Sequence, residues 1–178
     1  MLSALKELEI RADLILSKAR SGEPDALTRL AKLPGLKKWT TKELPEQVKR
    51  KHALNLIANE FGFSSWSVAR NILTGKPEDD FGTLLYPRAC FGYLNNWYSN
   101  YEEALACREG VKDYLLAYKR QFLVVSEDYI STLGLDPQDP DWEKIGRDWA
   151  RPSDIEARTR LYTQLITSRE PESQPTPS

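Results

Sequence analysis

Glycine and proline recur at short intervals through the first 77 residues: Gly22 with Pro24, Pro34 with Gly35, then Pro45, Gly62, and Gly75 with Pro77. Both interrupt helices, Gly by opening left-handed backbone and Pro by removing an amide donor. Between these breaks, apolar residues return every three or four positions, the period of one helix face. Helices this short are marginal in water on their own, so the segments must pack on one another. The N-terminal half therefore reads as a set of short, mutually supporting helices.

The first carries Leu2, Leu5, Leu8, Ala12, Ile15 and Ala19 on one stripe, with Gly22 suited to its C-terminal end. Pro24 opens a second helix bearing Leu27, Leu30 and Leu33. Pro45 opens a third, with Leu54, Ile57, Ala58 and Phe61 as its core face, and Gly62 ends it. Ser64 or Ser65 caps a fourth through Trp66, Val68, Ala69, Ile72 and Leu73.

Lys76–Asp80 combines proline, charge and no apolar residue, and marks the internal boundary. It divides a helical subdomain, 1–75, from an aromatic-rich one, 81–168, leaving a polar, proline-rich tail, 169–178, expected to be disordered. Residues 81–101 hold seven aromatic side chains. A helix over about 87–97 would align Cys90, Leu94 and Trp97, and Asn100 with Glu103 would cap the next, ended by Gly110. The aromatic and β-branched run from Asp113 to Val125 predicts a strand pair turning near Lys119 and Arg120. Short helices follow from Ser126 and Asp139-Pro140, and Ser153 with Glu156 caps a last one. The fold class is α+β and mainly α: an N-terminal helical unit packed on an aromatic-rich unit with one small antiparallel hairpin.

The net charge of −1 hides an uneven distribution. Residues 32–52 hold Lys32, Lys37, Lys38, Lys42, Lys49, Arg50 and Lys51 against Glu43 and Glu46, whereas acidic residues outnumber basic ones over 127–178. Such runs are commonly solvated faces, and a basic loop can also dock a partner. Cys90 and Cys107 are too few for a disulfide scaffold, which fits a reducing cytoplasm. No apolar run approaches about 18 residues, so neither a membrane span nor a secretory signal is expected.

Two helices meeting at a glycine turn also describe a DNA-reading helix-turn-helix. Over 54–73, Ala58, Gly62, Phe63 and Val68 occupy its structural places, so the segment resembles one. Ser64, Ser65, Ser67, Arg70 and Asn71 would then face the groove, with Lys49, Arg50 and Lys51 on phosphates. Against it, the reading helix holds one cation, Trp66 would be left facing the groove, and the whole chain lacks a positive field. A tight packing hairpin has the same pattern.

The run KHALNLIANEFGFSSW, Lys51–Trp66, resembles a helical segment near the start of some bacterial ankyrin-repeat and glyoxalase-related proteins. The similarity covers about 48–73, and implies a Gly-Phe-x-Ser-Trp turn that packs a helix pair. The ankyrin repeats and the glyoxalase metal-binding core have no counterpart here, so neither function transfers. YPRAC at 86–90 and GLDPQDPDWEKIGRDWARP at 134–152 look like small bacterial proteins of unassigned function. That resemblance implies a bacterial cytoplasmic origin.

His52 is the only histidine, without a Gly-x-Ser-x-Gly elbow, and is expected in a structural role. Zinc-ligand spacing, phosphate-cradling glycine loops and dinucleotide fingerprints are absent from the sequence. Asp136, Asp139, Asp141 and Glu143 lack the central glycine of a calcium loop and suit helix capping. No catalytic residue, metal or cofactor is assigned. Convergent aromatic and polar side chains make binding pockets and hot spots, as well as cores. The candidate binding residues are Arg88, Cys90, Asn95, Trp97, Tyr98, Tyr118 and Arg120, with Lys37, Lys38, Lys42, Lys49, Arg50 and Lys51 as a basic patch. The expectation is a non-enzymatic cytoplasmic adaptor that meets a protein partner through the aromatic surface or the basic loop. The alternatives are a DNA-binding regulator using 54–73 and a small enzyme with an Arg/Tyr/Asn pocket. No membrane partner is expected.

Overall fold

The structure, a computed structural model, describes residues 2–170. Helix α1 (Ala4–Arg20) starts at Ser3, whose hydroxyl accepts from the Lys6 amide, and buries Ala4, Leu8, Ala12, Ile15, Leu16 and Ala19. Leu2 precedes the helix and is exposed, so the predicted stripe begins one turn later. α1 is the central rod. It packs on α4 (Arg50–Glu60) and on the last helix, α9 (Ile155–Ser168), with α2 (Pro24–Ala31), α3 (Leu44–Gln47) and α5 (Trp66–Leu73) around it. The amide of Ala4 donates to Thr163 Oγ1 at 3.0 Å, tying the two chain ends together.

The helix expected from Pro45 to Phe61 is interrupted, because Val48 and Lys49 are extended. His52 Nδ1 accepts from the Lys49 amide at 3.1 Å and serves the opened end of α4. Burial, with Lys51 and Lys49 beside it, lowers the His52 pKa and favours the neutral ring that this acceptor role requires. Ser65 caps α5 as expected, accepting from the Val68 amide.

The turn between α4 and α5 is locked from outside. Gly62, at φ +85°, lies against the segment 82–84, and its carbonyl accepts from the Thr83 amide at 2.9 Å. A Cβ on Gly62 would stand 2.3 Å from Thr83 Oγ1. Gly82 presses back with equal intimacy, since its own Cβ would fall 2.3 Å from the Gly62 carbonyl oxygen. Only two facing glycines permit this approach.

The helix expected over 87–97 does not form. A single 3-10 turn, Arg88–Cys90, is followed by loop and by strand β1 (Asn96–Tyr98). Gly92 and the Asn95-Asn96 pair are poor helix formers, whereas Trp97 and Tyr98 gain cross-strand partners. The predicted hairpin is present as β2 (Tyr114–Tyr118) and β3 (Gln121–Val125), and Lys119 takes the left-handed turn position at φ +51°. β1 adds to it, making a three-stranded antiparallel sheet in the order β1-β3-β2. α6 (Tyr101–Val111) begins at Asn100 as predicted and runs past Gly110, ending where Lys112 turns left-handed. α7 (Glu127–Leu133) and α8 (Pro140–Lys144) follow. Asp154, rather than Ser153, caps α9 by accepting from the Ala157 amide.

The protein is thus mainly helical α+β, with nine α-helices and one antiparallel sheet among the described residues. One apolar core runs from Ala4 to Ile166 and draws on residues from both sides of 76–80. Tyr114, Trp142, Trp149 and Tyr162 cross it as a chain of ring contacts at 4.8, 5.4 and 4.7 Å. A smaller cluster, Tyr101, Ala104, Leu115 and Val124, fills the space between α6 and the opposite sheet face. Within the predicted tail, Arg169 is anchored: its guanidinium donates to the Leu84 and Leu133 carbonyls at 2.8 and 2.7 Å. Residues 171–178 of that tail lie outside the described residues. No helix among the described residues is long and apolar enough to cross a membrane.

Candidate binding surface

Side chains alternate along β1, and this alternation sorts the aromatic run. Trp97 pairs with Leu123, which pairs with Leu116, so Trp97 shares the core-facing side of the sheet and continues it past its edge. Tyr118 has the same parity at the hairpin end. Tyr86, from the segment after α5, inserts between them. Its ring centroid is 5.0 Å from Trp97 and 5.5 Å from Tyr118, both edge to face, and 4.8 Å from Phe91. Trp97 and Tyr118 meet at 5.7 Å. The cluster is well packed inside and open outside: Trp97 is 38% exposed and Phe91 57%, and Leu94, between them in the chain, is fully exposed.

Beside it lies a cleft of 390 Å³ between Phe61, Leu84, Tyr86, Phe91 and Tyr118. Glu60, Arg88, Arg169 and Glu170 supply its polar groups. Arg29 neutralises Glu60 through two hydrogen bonds of 2.9 and 2.7 Å. Arg88 is exposed and has no ion-pair partner among the described residues.

Of the residues singled out from sequence, Arg88, Trp97 and Tyr118 therefore meet at one face. Arg120 lies beside Tyr118 in the exposed hairpin turn. Cys90 is buried beneath the face, in contact with Tyr129, whose phenol is pushed far up by burial and by that thiol. Tyr98 points to the other side of β1, where a hydrogen bond with Cys107 raises its phenol above the ordinary value. Asn95 is half-buried, and its Nδ2 has no partner among the described residues. Sequence reasoning left Tyr86, Phe91 and Leu94 out of the candidate set. The available signal was the density of aromatics over 81–101, which a helical reading of 87–97 scattered around a cylinder.

The basic patch is exposed throughout, from Lys37 to Lys51. Arg50 is held by Asp13 at 2.7 Å, and Lys38 lies 5.0 Å above the Trp39 ring. On the helical hairpin, Trp66 is half-buried against the core, and its amide donates to Asn55 Oδ1 at 2.9 Å. Ser67 and Arg70 of α5 are exposed, whereas Asn71 donates to Glu78 at 2.7 Å. Asp139 caps α8 as expected of the acidic cluster, and Asp141 is taken up by Arg160 and Lys144. No group of three or more metal-ligating side chains occurs among the described residues.

No family model matches this chain, and no curated protein or solved structure matches it either.

Proposed function

We propose that this chain is a non-enzymatic binding protein whose contact surface is the face formed by Tyr86, Phe91, Trp97 and Tyr118. The observation that carries the reading is the exposure of Phe91 and Trp97 on either side of Tyr86, with which both rings pack. Scattered apolar side chains are ordinary on a surface, whereas a contiguous aromatic face above a cleft has the make-up of an interface core. Packed aromatics also lose little side-chain freedom on binding, which keeps the cost of association low. The cleft provides an anchor pocket next to the exposed rings.

The test compares the proteins retained from a cell lysate by wild type, by Phe91→Ala and Trp97→Ala, and by a Lys37→Glu/Lys38→Glu/Lys42→Glu variant. The aromatic variants should lose the partner and the charge-reversed one should keep it. The reverse pattern would move the contact to the basic loop.

A further inference from the structure

The strand nearest the aromatic face has an open edge, and its polarity follows from the hydrogen-bond parity of the sheet. Leu115 exchanges main-chain bonds with Arg147 and Trp149, and Lys119 with Gly82 and Phe81, so the odd-numbered residues of β2 face away from β3. Tyr118 and Gln121 then close the hairpin, and Phe122 and Val124 of β3 turn their main chain toward β1. Their partners there are Tyr98 and Asn96, which leaves the N–H and C=O of Trp97 directed outward. The outer edge of β2 is covered by 147–149 and 81–82. The edge of β1 has no such cover among the described residues. An uncovered edge is a template for an added strand.

The rim of the same face is cationic. Arg88 lines the cleft, Lys119 Nζ sits 5.4 Å from the Tyr118 ring with Asp80 lining the adjoining hollow, and Arg120 follows Lys119 in the hairpin turn. All three are exposed and lack an ion-pair partner among the described residues. The acidic groups of the cleft are Glu60, already neutralised by Arg29, and Glu170.

From these two observations we infer that the partner offers an extended acidic segment carrying a bulky apolar side chain, which joins β1 as a fourth strand. Its main chain bonds the outward groups of Trp97. Its apolar side chain covers Phe91 and Trp97, and its carboxylates lie in the field of Arg88, Lys119 and Arg120. The inference rests on the reading of the aromatic face as the contact surface, and adds the chemistry and conformation of what binds there.

Selection of a random peptide display library on the full chain tests it. Enriched peptides should place Asp or Glu beside aromatic or large aliphatic residues. Their affinity should fall at least about tenfold against Arg88→Glu/Arg120→Glu, and again when alternate peptide amides are N-methylated. Enrichment of basic or uncharged sequences, or affinity indifferent to both changes, overturns the inference. So does binding that needs prior removal of residues 171–178, which would make the chain's own proline-rich segment the occupant. A single-stranded oligothymidylate that binds with the same dependence on Arg88 and Arg120 overturns it in favour of nucleic acid. If any of these occurs while Phe91→Ala and Trp97→Ala still abolish partner capture, the contact surface stands and only its ligand chemistry is wrong.

Discussion

The rings of Tyr86 and Trp97 meet edge to face, with centroids 5.0 Å apart and planes at 84°. One belongs to the segment that leaves the helical hairpin and the other to the edge strand, so this contact fastens the two together under the exposed face. Tyr86 also touches Phe91 and Tyr118 and is the keystone of the cluster. Tyr86→Ala should cost about 3 kcal/mol of unfolding free energy, from lost burial plus lost ring pairs. Phe91→Ala should cost less than about 1 kcal/mol, because that ring is largely in water. Urea unfolding of both variants checks the contrast, and similar losses would mean that Phe91 is part of the core.

Gly62 and Gly22 have nearly the same backbone, at φ +85° and +83°, with opposite surroundings. A Cβ at Gly22 meets nothing within 4 Å, whereas one at Gly62 collides with Thr83. Gly22→Ala should cost about 1 kcal/mol for the left-handed backbone alone, and Gly62→Ala at least about 2 kcal/mol more. Thermal or urea unfolding of the pair isolates the close contact between the α4–α5 turn and residues 82–84.

Much of this packing is legible in the sequence. The Gly and Pro punctuation, the three-and-four spacing and the caps Ser65, Asn100 and Asp139 are local signals, and they placed most helices and the β2–β3 hairpin. The elements that local signals miss depend on distant partners. Residues 96–98 become a strand because β3 offers a ladder, and no local rule in that segment announces it. The same error hides the aromatic face, since Tyr86, Phe91 and Trp97 converge only once β1 is a strand. Val48 and Lys49 open between α3 and α4 with no glycine or proline to mark the break.

Tyr101 donates its hydroxyl to the buried carboxylate of Asp148, while the Arg151 guanidinium stacks 3.7 Å above its ring. Burial and that carboxylate push the Tyr101 phenol far above its ordinary value. Tyr101→Phe keeps the ring and its stacking and removes one donor from Asp148, so it should cost about 1–3 kcal/mol. Spectrophotometric titration of the folded protein should leave Tyr101 protonated at pH values where exposed tyrosines ionise, and an early-ionising Tyr101 would contradict the bond.

Asp141 receives Arg160 Nε and Nη2 at 2.7 and 2.8 Å and Lys144 Nζ at 2.8 Å. These cations, Arg160 foremost, outweigh burial and hold its carboxyl at about 2 rather than 3.8. A depressed folded pKa means that the unfolded chain takes up protons first as pH falls. The stabilisation, about 1–2 kcal/mol, is therefore complete above pH about 4 and lost between about 4 and 2. Asp141→Asn should be less stable than wild type at neutral pH and converge on it by about pH 2. A constant difference across that range would contradict the ion pair as its source.

A partner seated as proposed on the face of Tyr86, Phe91 and Trp97 lies within reach of a photo-reactive side chain at position 91. Photo-crosslinking in cells reads this out, with benzoylphenylalanine in place of Phe91 and, as control, in place of exposed Arg20 at the C-terminal end of α1. The expected result is a discrete adduct from position 91, none from position 20, and loss of the adduct when Trp97→Ala is added. Adducts of equal yield from both positions, or none from position 91, would contradict it.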